Sequence, residues 1–335
     1  MVHGSLPADY LAHRYDPGQD AVHFLPVPRA LRRVAPFLTD ENLPGLGEPL
    51  VVRRVDALRV AAGSARLNFV FHSAYCCSTL LANAYDRPGA AFSLKEPVLL
   101  NDLVGWRHRG AEPSQVGARL GDALSLLGRP LEAGETGVIK PSNVVNGLAP
   151  AMMVARPEAG VLLLHAPLDV YLGSIASKGL WGRRWVRDLL LKQLTDGIVD
   201  LGFERTDHFL HTDLQVAAVG WLAQHALFAR LAASWPDRVR TLDSETLLAD
   251  PGGALAALDR LFGIVADDAG RAAVVATEFR RNAKSGAAFS AQDRDASQRA
   301  VQALHGEEIE AVLGWASAVA ANVGLSLNLS NPLLG

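Results

Sequence analysis

Six residues have the types and the positions to do chemistry together: Ser78, Thr79, Glu96, Lys140, His72 and His165. Ser78 and Thr79 lie in the stretch FHSAYCCSTLLANAYD, residues 71–86, where a short apolar run gives way to a loop and then a helical pattern. A helix start offers unpaired N–H groups and a favourable dipole, and two hydroxyls add further donors, which together suit an anion. Glu96 precedes Pro97 at the end of an apolar run, where a carboxylate can take a proton. Lys140 closes the run GVIK, where an ammonium can neutralise developing negative charge.

Laid on the nucleotide-cradling frame G-x-x-x-x-G-K-[ST], His72 and Cys77 occupy the glycine positions. Ser78 stands in place of the lysine, and Thr79 matches the Ser/Thr. Without that lysine the β- and γ-phosphates of ATP or GTP lose their main cation, which disfavours an ordinary ATPase or GTPase. The pattern alone leaves two readings open, an anion site and a serine-capped strand-to-helix turn. Cys76 and Cys77 read first as small hydrophobes at a turn.

The elements that must position these residues follow from the apolar runs. Strands are expected at 67–72, 91–97, 137–140, 160–165 and 238–243. Helices are expected after residue 78, at 98–106, 114–128 and 143–155, after Asp169, near 183–200 and 212–234, through 245–264 in two pieces, and near 306–322. Strands alternating with helices imply a three-layer α/β/α fold with a mostly parallel, P-loop-like sheet. In such sheets ligands bind beyond the carboxyl ends of the strands, which here carry His72, Glu96, Lys140, His165 and Asp243. Residues 1–60, weakly periodic apart from a short helix in RALRRVAPFL, are expected as an N-terminal extension packed on a main domain of 61–335.

With 335 residues, 49% hydrophobic and 20% charged, the chain can bury a large core. A net charge of −3 with mixed signs provides no nucleic-acid footprint. Two adjacent cysteines form no disulfide framework, and the first twenty residues lack an apolar signal core. The lack of a disulfide framework leads to the expectation of a cytoplasmic protein, and no run of eighteen apolar residues appears, so no membrane span is expected.

The order HSAYCCSTLLANAYD, LKEP, VIKPSN, VLLLHAPLDVYLGSIASKG and TLDSETLLADPGGALAALDRLFGI resembles the sulfotransferases that use 3′-phosphoadenosine 5′-phosphosulfate. The resemblance runs from about residue 67 to 263. It implies that the loop His72, Ser73, Ala74, Tyr75, Cys76, Cys77, Ser78 and Thr79 holds the 5′-phosphosulfate. It further implies that Glu96 is the catalytic base, that Lys140 stabilises the leaving group, and that His165 and Ser174 meet the 3′-phosphate, with Asp169 and Val170 in the same segment. The family usually has Lys or Arg where this chain has Tyr75, Gly at Cys77, and Arg at His165. Lys95, Lys178, Arg183 or Arg184 are neighbouring sources of the missing charge. The segment 179–188, GLWGRRWVRD, can stack an adenine or grip an acceptor, and RRNAKSG at 280–286 is a basic candidate for the nucleotide.

The implied reaction moves a sulfuryl group to a hydroxyl of a small molecule or glycan and needs no metal. Two other functions fit the residues: a P-loop kinase or hydrolase with an altered loop, and a non-catalytic descendant that binds a nucleotide or a protein. The oligomeric state is not legible.

Overall fold

A computed structural model describes residues 6–60, 64–280 and 291–335. The chain first builds strands β1 (Tyr10–Asp16), β2 (Ala21–Pro26) and β3 (Leu50–Arg53), with helix α1 (Arg29–Val34) between the last two. Helix α2 (Arg54–Val60) leads to β4 (Leu67–His72), α3 (Ser78–Ala84), β5 (Ala91–Lys95), α4 (Val98–His108) and α5 (Pro113–Leu127). Next come β6 (Thr136–Lys140), a 3-10 turn (Asn143–Leu148), α6 (Ala149–Ala155), β7 (Val161–His165), α7 (Leu168–Ser177), α8 (Gly179–Thr195) and α9 (Asp213–Ser234). The chain closes with β8 (Val239–Asp243), α10 (Ser244–Ala249), α11 (Pro251–Phe262), α12 (Asp268–Glu278) and α13 (Ala291–Asn322).

The central sheet has five strands in the order β5-β6-β4-β7-β8, and every neighbouring pair is parallel. Its strands are buried on both faces, as their near-continuous apolar runs require. Phe69, Phe71, Phe92, Leu94, Ile139, Val161 and Leu163 point into one core with α4, α5 and α6. The alternate residues Val70, Ala91, Val138, Leu162 and Leu164 point into a second core with α3, α7, α11 and α13. The architecture is therefore three-layer α/β/α.

Residues 10–53 differ from the weakly structured reading of the sequence. They form an antiparallel sheet, β1-β2-β3, with a register shift between Ala12 and Arg14. That irregularity breaks the two-residue alternation by which a strand is read from sequence. The sheet shares the first core, and ion pairs fasten it: Arg14 to Asp102, Arg29 to Asp86 and Glu135, and Arg54 to Asp122. Helix α12 also escaped the sequence reading. Among the described residues α9 is the one helix long and apolar enough to cross a membrane, and 78% of its apolar window is buried inside the molecule.

Candidate functional site

The strands of the parallel sheet all end on one side, and the chain leaves them toward opposite faces. After β4 it enters α3, whose Leu81, Ala84 and Tyr85 lie in the second core. After the neighbouring β6 it enters the 3-10 turn and α6, whose Val145, Leu148 and Met152 lie in the first. A crevice opens where connections diverge in this way, and the β4–β6 boundary is that point here. Lys140 and His72 occupy its two lips, and Glu96 arrives from β5.

The Lys140 side chain is only 1% exposed. Its Nζ forms an ion pair with Glu96 Oε1 and sits 4.9 Å from the centre of the Phe37 ring. Phe37 comes from the N-terminal segment, where Leu38 N–H donates to Lys95 O at 2.7 Å. Glu96 N–H donates to Lys140 O at 2.7 Å, so the two catalytic candidates are tied through backbone as well as side chain. Glu96 holds a left-handed backbone, φ 51°, which turns the chain sharply at the strand end.

His72 is buried and has both ring nitrogens engaged. Ala74 N–H donates to Nδ1 at 3.1 Å, so Nδ1 carries no proton, and Nε2 donates to Pro141 O at 3.0 Å. The imidazole is therefore neutral and bridges the β4 and β6 lips. Its Nε2 also lies 3.7 Å from the Glu96 carboxylate. Asn146, which sequence reasoning did not single out, donates from Nδ2 to His72 O at 3.0 Å and to Gln224 Oε1 at 2.9 Å. Only its place after KPSN could have drawn attention to it.

The loop after His72 is held in an unusual shape. Ala74, Tyr75 and Cys77 all have positive φ, at 74°, 52° and 61°. Of the two positions where the nucleotide frame has glycine, Cys77 has the left-handed backbone that favours glycine, whereas His72 ends a strand. Ser73 Oγ accepts from Ala166 N–H at 3.1 Å, tying the loop to the end of β7. Cys76 is fully buried, its thiol donating to Leu164 O at 3.5 Å, and burial pushes its pKa up. Tyr75 packs edge-on against Tyr171 and Trp185, and burial raises its hydroxyl to about 12. Ser78 and Thr79 are buried in the first turn of α3, with Ser78 beside the Cys76 thiol.

His165 ends β7 opposite Asp243 of β8 and stands edge-on to His225. Burial lowers its pKa despite the Asp243 charge, so the ring is neutral at pH 7 and offers a hydrogen bond rather than a cation. Its buried Nδ1 has no hydrogen-bond partner among the described residues. Ser174 Oγ donates back to Val170 O at 2.9 Å within α7. Asp169 lies in the first turn of that helix.

The neighbouring cations divide in orientation. Lys95 is turned away, donating to Arg33 O and Asn83 Oδ1 at 2.9 and 2.7 Å, and burial lowers its pKa to about 8. Arg183 reaches Glu308 and Asp213, whereas Lys178 and Arg184 are exposed. Trp181 stacks on Trp185 with ring centres 6.4 Å apart, lining an open cleft of about 470 Å³ with Leu180, Arg184 and Asp188. Of RRNAKSG, only Arg280 lies within the described residues. Among those residues no group of three or more His, Cys, Asp or Glu side chains is arranged to hold a metal ion.

No family model and no curated protein sequence matches the chain. Among solved structures, the sulfotransferase domain from the curacin biosynthetic pathway is similar at 12% identity with a TM-score of 0.43. That alignment covers 79% of this chain and 99% of the other.

Proposed function

We propose that the protein transfers a sulfuryl group from 3′-phosphoadenosine 5′-phosphosulfate to a hydroxyl of a small molecule or glycan. The observation that carries this reading is the Glu96–Lys140 ion pair in the β4–β6 crevice, beside a left-handed loop that leads into Ser78 and Thr79. The donor's 5′-phosphosulfate lies along that loop, where backbone N–H groups and the two hydroxyls meet its oxygens. His165 and Ser174 approach the 3′-phosphate. The tryptophan-lined cleft beside Tyr75 takes the acceptor.

The ion pair has a mechanistic consequence. In the pair the Glu96 carboxylate oxygen is occupied by the Lys140 ammonium and cannot at the same time accept from an acceptor hydroxyl. The anionic donor competes for Lys140 and draws the ammonium toward the bridging oxygen. Glu96 is then free to accept the acceptor's proton. The acceptor oxygen bonds to sulfur as the bond from sulfur to the bridging oxygen breaks. The bond's electron pair stays on the 5′-phosphate, where Lys140 meets the charge.

Calorimetry with adenosine 3′,5′-bisphosphate, ATP and GTP, joined to a transfer assay, tests the reading. The bisphosphate is expected to bind more tightly than either triphosphate. Glu96→Gln is expected to lower turnover by about 10²–10⁴-fold. It should also bind the bisphosphate as tightly as wild type or several-fold more tightly, since Lys140 loses its competing partner. Full turnover in this variant rejects Glu96 as base, and weaker bisphosphate binding rejects the exchange of partners. Failure of all three nucleotides to bind would sink the donor assignment.

A further inference from the structure

The opposite end of the sheet carries a second concave site. At the amino ends of β4, β7 and β8 lies a cleft of about 440 Å³, lined by Arg66, Arg238, Arg240, Arg260, Asp237 and Gly160, among others. Four arginines thus line one cleft with one acidic residue, in a chain whose net charge is −3. Among the described residues none of the four arginines has a carboxylate at ion-pair distance. Arg238 donates to the carbonyls of Met153, Arg156 and Ala159, and Arg240 to those of Pro236 and Val239. Carbonyls orient a guanidinium without neutralising it. Glu158 is close enough to Arg238 to be felt electrostatically, yet it does not pair with it.

The cleft has a built floor. A Cβ on Gly160 would meet Leu261 O at 2.5 Å, so only glycine lets the end of α11 lie against the start of β7. Gly263, left-handed at φ 68°, leaves room for Arg66, whose Nη1 would lie 2.8 Å from an added Cβ. Both glycines therefore bring backbone and arginine into the same wall.

We propose that this cleft binds a small molecule bearing two or more phosphate groups, independently of the chemistry assigned to the carboxyl end of the sheet. Arginine forks match phosphate oxygens in pairs, and several unneutralised forks call for a multivalent anion. The volume falls in the range of small-ligand sites. A long polyanion is disfavoured, because the remaining surface carries a net negative charge that would repel it.

Sodium tripolyphosphate titrated into the full chain by calorimetry, in about 50 mM salt where surface charges are weakly screened, tests the site. The wild type is expected to bind one equivalent. Arg66→Ala/Arg260→Ala removes two exposed side chains, and circular dichroism verifies its fold; its affinity is expected to fall about tenfold or more. Arg53→Ala/Arg59→Ala removes the same charge from arginines paired with Asp56 and is expected to bind as wild type does. Lys140→Ala, which strips the cation from the other crevice, is expected to keep the binding. Arg66→Lys/Arg260→Lys keeps the charge and loses the fork, and is expected to weaken binding several-fold. The proposal is overturned if wild type shows no binding, if the two double-alanine variants lose affinity equally, if Lys140→Ala alone abolishes binding, or if the lysine variant matches wild type.

Discussion

Outside glycine, left-handed backbone is concentrated where the chemistry is placed. Among the described residues, six that are not glycine have positive φ, and Ala74, Tyr75, Cys77 and Glu96 line the crevice. The other two are Asp20 and Asn331, residue types that tolerate this conformation through their short polar side chains. Alanine, tyrosine, cysteine and glutamate have no such relief, so the crevice stores strain that the surrounding contacts must hold. Ala74 offers the cleanest measure, being half-buried with φ 74° and only a methyl group to lose. Ala74→Gly is expected to raise stability by about 1 kcal/mol in urea denaturation. A lower midpoint would show that the methyl contact outweighs the strain. The nucleotide frame puts glycine at both His72 and Cys77, and the family resemblance at Cys77 alone; of the two, only Cys77 has the backbone that glycine favours.

The elements deliver these residues through close strand contacts. Lys140 rides on β6, which lies between β4 and β5. Gly137 is the second residue of that strand, and a Cβ there would meet Leu67 Cδ2 at 2.5 Å and Phe92 at 2.8 Å. Both neighbours are fully buried side chains rooted in adjacent strands, so neither can swing clear. Gly137→Ala is expected to cost about 1–3 kcal/mol of stability by overpacking. Turnover is expected to drop as well, since Lys140 and its hold on Glu96 move with the strand. An unchanged unfolding midpoint would show that the sheet relaxes freely. The run GVIK was readable as a strand, whereas the reason its glycine is needed lies in side chains from residues 67 and 92.

Across the whole molecule, the N-terminal sheet and the C-terminal segment both reach the central sheet. The connection between β2 and β3 brings Phe37 over Lys140, and the C-terminal segment bonds to β8, with Thr241 N–H donating to Asn331 O at 2.9 Å. His225 of α9 ties the C-terminal segment to the core: it stacks on Trp221 with ring centres 4.4 Å apart, stands edge-on to His165 at the end of β7, and its Nε2 donates to Leu327 O at 2.9 Å. Burial, reinforced by His165, lowers its pKa from 6.5 to about 4. Between those values the unfolded chain binds the proton and the folded chain does not, so stability falls as pH drops through that window. The loss attributable to this ring approaches about 3 kcal/mol once pH reaches the folded value. His225→Gln keeps a donor for Leu327 O and does not titrate. Urea midpoints at pH 7 and pH 4.5 are expected to differ less in this variant than in wild type. An equal difference would assign the acid sensitivity to other groups.

The amino-acid sequence by itself determined the central architecture. Short apolar runs such as LNFVFH and VLLLH suit strands covered on both faces, and the helices between them imply parallel order. It also located the ionisable strand ends, because His72, Lys140 and His165 terminate apolar runs and Glu96 follows one. Tertiary structure decided the rest. Glu96 and Lys140 lie 44 positions apart, and Phe37 is farther still from Lys140, so no local period records their meeting. The shape of the loop, the neutral state of His72 and the convergence of four arginines on one cleft arise in the same way. Periodicity encodes which side of a strand or helix is buried. The pairing of distant charges is set by strand order and packing, which exist only once the chain has folded.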